Sequence, residues 1–145
     1  MQLLKKILVA YDGSGHSKKA LNWAIDLSLL SGAEVLAVKV FGESSLYDTA
    51  EPGASVLVAL EEIRRDDQRM IDEAVAVGKN RGVIVRGEIL EGDVAGEILS
   101  YAEQHQVDMI VTGAKGHGQL EALLIGSVAR KLVSLAHVPV VVVKD

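Results

Sequence analysis

The chain contains no cysteine. That excludes disulfides, thiolate zinc sites and a cysteine nucleophile. Aromatic residues are scarce: Tyr11, Trp23, Phe41, Tyr47 and Tyr101 are all there are. A stacking platform for single-stranded nucleic acid is hard to assemble from so few. Positive charge is also short. There are 15 Lys and Arg against 20 Asp and Glu, a net charge of −5, and no basic block stands out. Nucleic acid is therefore a poor partner. No apolar run approaches the roughly 18 residues that cross a bilayer. The run near the N-terminus, ILVA, is too short for a signal-peptide core, and no small-residue cleavage pattern follows it. These absences point to a cytoplasmic protein with no membrane contact. Several chemistries lack their motifs too. G-x-x-x-x-G-K-[ST] is absent, as is G-x-G-x-x-G after the first apolar run, and there is no G-x-S-x-G. P-loop hydrolysis, dinucleotide binding and serine hydrolase chemistry lose their usual frames.

What is present reads as one ordinary globule. The 145 residues are 49% hydrophobic and 24% charged, which fits a single domain over residues 1–145 with a real core. Five short runs, at 6–11, 34–40, 83–90, 108–113 and 139–144, are rich in aliphatic and β-branched residues. Four are nearly continuous, as expected for strands covered on both faces. The third alternates more, which suits a strand nearer an edge. Helical patterns fill the gaps at 17–30, 56–77, 94–105 and 127–136. In the first, Ala20, Trp23, Ala24, Leu27 and Leu30 form the apolar face. In the second, Leu60, Ile63, Met70, Ala74 and Val77 do so, with EE and RRDD facing out. The alternation predicts an α/β fold, an open doubly wound five-stranded parallel sheet of order 3-2-1-4-5 with helices on both faces. Residues 41–55, with Pro52 and Gly53, read as a surface loop.

In such a sheet a ligand sits beyond the carboxyl ends of the strands, where the strand order reverses. Asp12-Gly13-Ser14-Gly15 follows the first strand, and Val40 ends the second. Glu91-Gly92-Asp93 follows the third. Gly113-Ala114-Lys115-Gly116-His117-Gly118 follows the fourth, and Gly126-Ser127 opens the last helix. Gly113 and Gly116 allow a sharp turn whose backbone N–H groups approach a phosphate. Gly126-Ser127 adds free N–H donors, a hydroxyl and the positive end of a helix dipole. Between the two grips, QLEALLI reads as a short helical spacer. A bound phosphate would also offset Arg130 and Lys131, which otherwise oppose the dipole near the start of that helix. The plain alternative is that these glycines only make turns.

The spacing Gly113-x2-Gly116-x9-Gly126-Ser127 resembles the G-x2-G-x9-G-[S/T] signature of the ATP-binding branch of the universal stress protein family. KKILVAYDGSGHSKKAL, EGDVAGEIL and GSVARKLVSLAHVPVVVVK resemble other segments of that family in the same order, so the likeness covers essentially the whole chain. The resemblance implies that Gly113, Gly116, Gly126 and Ser127 hold the ribose and phosphates of ATP, with backbone of Val128 close to the phosphates. It implies that Asp12 and the backbone of Val40 border the adenine, and that Mg2+ or Mn2+ rides on the phosphates. His117, in the phosphate loop, is a candidate contact to a γ-phosphate or an exposed loop histidine. The family often has His-Val where this chain has Lys39-Val40.

Asp12 also reads as a turn or cap residue beside Ser14 and Ser17, a role compatible with ligand contact. Asp93 reads as the cap of the third helix, and Trp23 as core. The histidines His16, His105, His117 and His137 have no helix-face metal spacing, so no protein metal cage is expected. Val140-Val141-Val142-Val143 would lie at a sheet edge and invite a two-fold pair; the resemblance implies the same homodimer. It also implies an ATP-dependent regulator of stress or energy response, acting on a regulatory protein partner that the residues do not name. The alternatives are a slow ATPase, with Lys115, His117 and Arg130 as helpers and no evident base, and a dimeric interaction module that uses no nucleotide.

Overall fold

Aliphatic runs too short for helices pair side by side because each can be covered on both faces. In the computed structural model, which describes residues 3–42, 53, 55–116 and 124–144, the elements follow the expected alternation. They are β1 (Lys6–Ala10), α1 (Gly15–Ser31), β2 (Glu34–Phe41), α2 (Val56–Asn80), β3 (Val85–Glu91), α3 (Val94–Gln104), β4 (Met109–Gly113), α4 (Ser127–Leu135) and β5 (Val140–Val143). The sheet has five parallel strands in the order β3-β2-β1-β4-β5. The chain thus adds strands in one direction from β1 to β3. It then returns to place β4 on the other side of β1, and the order reverses between β1 and β4. β3 is an edge strand, as its alternation predicts, and so is β5.

Two apolar layers sandwich the sheet. Ile7, Val9, Val35, Ala37 and Val111 meet Ala20, Leu21, Ala24 and Ile25 of α1 and Ala74 of α2 on one face. Leu8, Leu36, Val38 and Ile110 meet Ala95 and Ile98 of α3 and Leu132 of α4 on the other. The period of two along each strand divides these rows cleanly. Among the described residues no helix is long and apolar enough to cross a membrane.

Two expectations about helix faces need correction. Trp23 is 54% exposed, and Leu30 is also exposed. The buried stripe of α1 runs through Ser17, Ala20, Leu21, Ala24, Ile25 and Ser28. Apolar residues surround this helix almost completely, so periodicity marks its phase weakly, and small alanines rather than the indole take the close positions. In α2, Asp67 does not face out with its neighbours. It occupies the stripe Ala59, Ile63, Asp67, Ile71, Ala74 and Gly78, and is 4% exposed. Most of the 41–55 loop and of the QLEALLI spacer lies outside the described residues, as does His117.

Helix α2 seats tightly on β3. A Cβ at Gly78 would meet the Val85 side chain and stand 2.8 Å from the Val83 backbone oxygen. Backbone cannot move aside as a flexible side chain can. Gly78→Ala should therefore cost about 1–3 kcal/mol of stability, read as a lower denaturant midpoint at unchanged slope. An unchanged midpoint would mean that α2 is not held this close.

Candidate functional site

The turn after β1 is built by short polar side chains. Asp12 Oδ1 accepts from the Ser14 amide at 2.9 Å, forming an Asx turn. Ser14 then caps α1, its Oγ accepting from the Ser17 amide at 3.3 Å. Ser17 Oγ donates to the Ser14 carbonyl at 3.0 Å and accepts from the Asp12 amide at 3.3 Å. Asp12 is thus a turn residue, and its second oxygen turns toward the strand next door. A Cβ at Gly116 would stand 2.5 Å from Asp12 Oδ2.

Gly113 has a different reason to be bare. Its missing Cβ would lie 2.7 Å from the His16 backbone carbon. The first turn of α1 rests directly on the end of β4, and only glycine lets it do so. The loop after β4 then returns to the sheet. The Gly126 amide donates to the Ala114 carbonyl at 2.6 Å, which brings the start of α4 beside the end of β4. Asp93 caps α3 as expected, its carboxylate accepting from the Gly96 amide at 2.9 Å.

These pieces surround a cleft of ≈ 560 Å³ at the carboxyl ends of β1, β2 and β4, within the range of small-molecule sites. Of the eight residues singled out from the sequence, Asp12, Val40, Gly113, Gly116, Gly126, Ser127 and Val128 all line it. His117 lies outside the described residues. One contrast among the helices stands out. α1, α2 and α3 are each capped by a side-chain oxygen, from Ser14, Ser55 and Asp93. α4 opens into the cleft on Gly126, which supplies no side-chain cap. Among the described residues, its first-turn N–H donors therefore lack the side-chain acceptor that the other three described helices carry. Arg130 and Lys131 are exposed. No group of three or more His, Asp or Glu side chains gathers to hold a metal among the described residues.

Sequence reasoning passed over several polar residues that line the same cleft: Tyr11, Thr112, Asp66, Asp67 and, except as a family departure, Lys39. Tyr11 and Thr112 are buried. Burial first, then Glu73 and Asp12, pushes the Tyr11 phenol above its ordinary pKa. Lys39 continues the inward row Val35, Ala37 of β2, which carries its ammonium beneath α2. There Nζ lies 3.7 Å from Asp67 Oδ1 and donates to the Val40 carbonyl at 3.1 Å. Asp67 Oδ2 has no hydrogen-bond partner among the described residues. A signal for both existed in the sequence: a lysine on the buried row of a strand and an aspartate on the i, i+4 stripe of a helix.

Burial pushes the Asp67 carboxyl above its ordinary 3.8; Lys39 pulls it back in part, and Asp66 adds to the rise. The native state thus holds this proton more tightly than the unfolded chain. The carboxyl's contribution to stability is full below the unfolded pKa and is lost as pH rises through the native one. Asparagine cannot ionise. The melting temperature of Asp67→Asn, relative to wild type, should shift in the variant's favour as pH rises from the carboxylate range to neutrality. A flat difference across that range would contradict the assigned burial.

The chain matches the universal stress protein family over residues 4–144. It is 36% identical over 142 residues to universal stress protein MJ0531 of Methanocaldococcus jannaschii, covering 98% of this chain and 83% of that one. Its fold is similar to the solved structure of hypothetical protein MJ0577, with a TM-score of 0.87 at 25% identity over 99% of this chain and 97% of that one. Two more distant structures share the fold. One is a universal stress protein in complex with cAMP (TM-score 0.69, 18% identity, 97% of each chain). The other is the Archaeoglobus fulgidus universal stress protein in complex with dAMP (TM-score 0.67, 20% identity, 99% of this chain and 100% of that one). With sequence match, strand order and relatives in agreement, the chain belongs to the universal stress protein family.

Proposed function

We propose that this chain binds ATP in the cleft between β1 and β4 and acts as a nucleotide-dependent regulator of stress or energy response. The observation that carries the binding half is the start of α4. Among the four described helices it is the one without a side-chain cap, and it opens into the cleft opposite the Gly113–Gly116 turn. Unsatisfied N–H groups at the positive end of a helix dipole favour an anion. The nucleotides held by two relatives, cAMP and dAMP, share an adenine and a phosphate. Family membership supports the regulatory half.

In this reading the phosphates lie against Gly116, Gly126, Ser127 and the backbone of Val128, and the ribose lies near Gly113. The adenine lies toward Asp12 and Val40. A Mg2+ or Mn2+ ion would neutralise phosphate charge and draw its ligands chiefly from phosphate and water, as magnesium prefers. The fit rests on the size of the cleft and on its bare N–H groups.

Gly113 is a poor position for a test, because a side chain there strikes α1. Gly126 is better, since its φ of −73° and ψ of 166° suit an ordinary N-cap residue. Gly126→Asp would cap α4 with its own carboxylate and present negative charge to a phosphate. Calorimetric titration of nucleotide-stripped protein with Mg-ATP should show one site per wild-type chain. The variant, folded by circular dichroism, should lose at least about tenfold in affinity, roughly 1.4 kcal/mol. Wild type that binds no ATP at millimolar ligand would leave the glycines as turn chemistry.

The open edge of β5 supports a homodimer. The Ile110 amide donates to the Pro139 carbonyl and the Ala114 amide to the Val143 carbonyl. Residues 139, 141 and 143 therefore face β4, and Val140 and Val142 aim their N–H and C=O groups away from it. Val142→Pro removes an outward donor and no bond to β4, and edge strands tolerate proline. Sedimentation should show a dimer for wild type and a monomer for the variant. A variant that stays dimeric would place the interface elsewhere.

A further inference from the structure

The cleft contains a polar group that its phosphate end does not explain. Asp67 is 4% exposed and lines the cleft from α2. One oxygen, Oδ1, faces Lys39 Nζ at 3.7 Å, beyond hydrogen-bond length. The other, Oδ2, has no hydrogen-bond partner among the described residues. A buried carboxylate oxygen without a donor is unfavourable, and folded proteins keep such groups where something else satisfies them. Lys39 Nζ donates to the Val40 carbonyl at 3.1 Å and is not within hydrogen-bond length of either Asp67 oxygen.

Position selects the donor. α4 and the Gly113–Gly116 turn stand at β4, while Asp67 and Lys39 stand over the end of β2. The sheet order puts β1 between them. Two strand spacings separate the ends by about 10 Å, enough to place a nucleotide's phosphates at one end and its base at the other. The base end is walled by Val38, Val40, Ile63 and Met70, with the exposed Asp66 at its rim beside Asp67. Adenine has one hydrogen-bond donor group besides its link to the sugar, the exocyclic amine.

We propose that Asp67 determines base specificity. Its unpartnered Oδ2 accepts a hydrogen bond from the exocyclic amine of the adenine, and Lys39 is the positioning residue that favours the ionised carboxylate and fixes its direction. This rests on the adenine-nucleotide reading above and adds to it a residue that discriminates amino from oxo purines. A 6-oxo purine would present a lone pair to the carboxylate, and a purine with hydrogen at that position would leave the oxygen unsatisfied.

The test is calorimetric titration of nucleotide-stripped protein with three magnesium complexes: ATP, purine riboside triphosphate, which lacks the amine, and inosine triphosphate, which carries an oxo group. Wild type should bind ATP at least about tenfold tighter than either analogue. In Asp67→Asn the ratio of ATP to purine riboside triphosphate should fall toward one, the loss falling on ATP. Inosine triphosphate should gain on ATP, because an amide N–H can face its oxo group. Lys39→Gln should lower the same ratio through the carboxylate it no longer holds. Equal wild-type affinity for ATP and purine riboside triphosphate would overturn the proposal, as would an Asp67→Asn ratio equal to wild type. If Asp67→Asn does not fold, the wild-type ratio and the Lys39→Gln ratio decide, and an unchanged ratio in Lys39→Gln then counts against it. Wild type that binds none of the three would defeat the adenine-nucleotide reading itself. ATP binding with no dependence on the amine would leave that reading standing and remove Asp67 from it.

Discussion

β1 and β4 lie side by side and parallel, yet the helices that follow them pack on opposite faces of the sheet. Neither connection can cross the gap between the two strand ends, so a cleft opens there. The rest of the site depends on that divergence. It turns the Asp12–Ser14 turn toward one wall and the start of α4 toward the other, with the β4 loop between. Gly113 keeps the gap narrow, because its missing Cβ lets the backbone of α1 sit against the end of β4. One glycine thus helps fold the protein and shape the cleft at once.

The two ends of the cleft are built on different physics. At β4 the protein offers backbone: bare N–H groups, glycines and a helix dipole, all pre-aimed at low conformational cost. At β2 it offers side chains, a half-buried lysine and a buried aspartate beside aliphatic residues. A hydrophobic residue at Asp67 would continue the stripe of α2 and avoid the desolvation of a carboxylate. The chain keeps a carboxyl group there despite that cost.

Much of this was legible in the residues. The βαβ alternation, the strand order and the edge positions of β3 and β5 followed from short aliphatic runs separated by amphipathic segments, since period and length are local properties. Asp93 as a cap and Asp12 as a turn residue were readable because capping needs only the next few residues. The glycine-rich ends of β1 and β4 marked the cleft. Periodicity was less secure where its contrast was low. In α1 apolar residues on every side hid the phase, and Trp23 proved exposed. In α2 the run Arg64-Arg65-Asp66-Asp67 looked uniformly solvated, although one of its members falls on the buried stripe.

What the sequence by itself determined was the family, the class of fold and the end of the sheet where the cleft lies, because repeat length, strand composition and glycine spacing are written in order along the chain. Tertiary structure alone decided why Gly113 is bare, that α4 starts without a side-chain cap in a cleft wall, and that Lys39 and Asp67 meet. Each of these depends on contacts between elements far apart in sequence. Spacing records no distance between a strand residue and a helix that crosses above it.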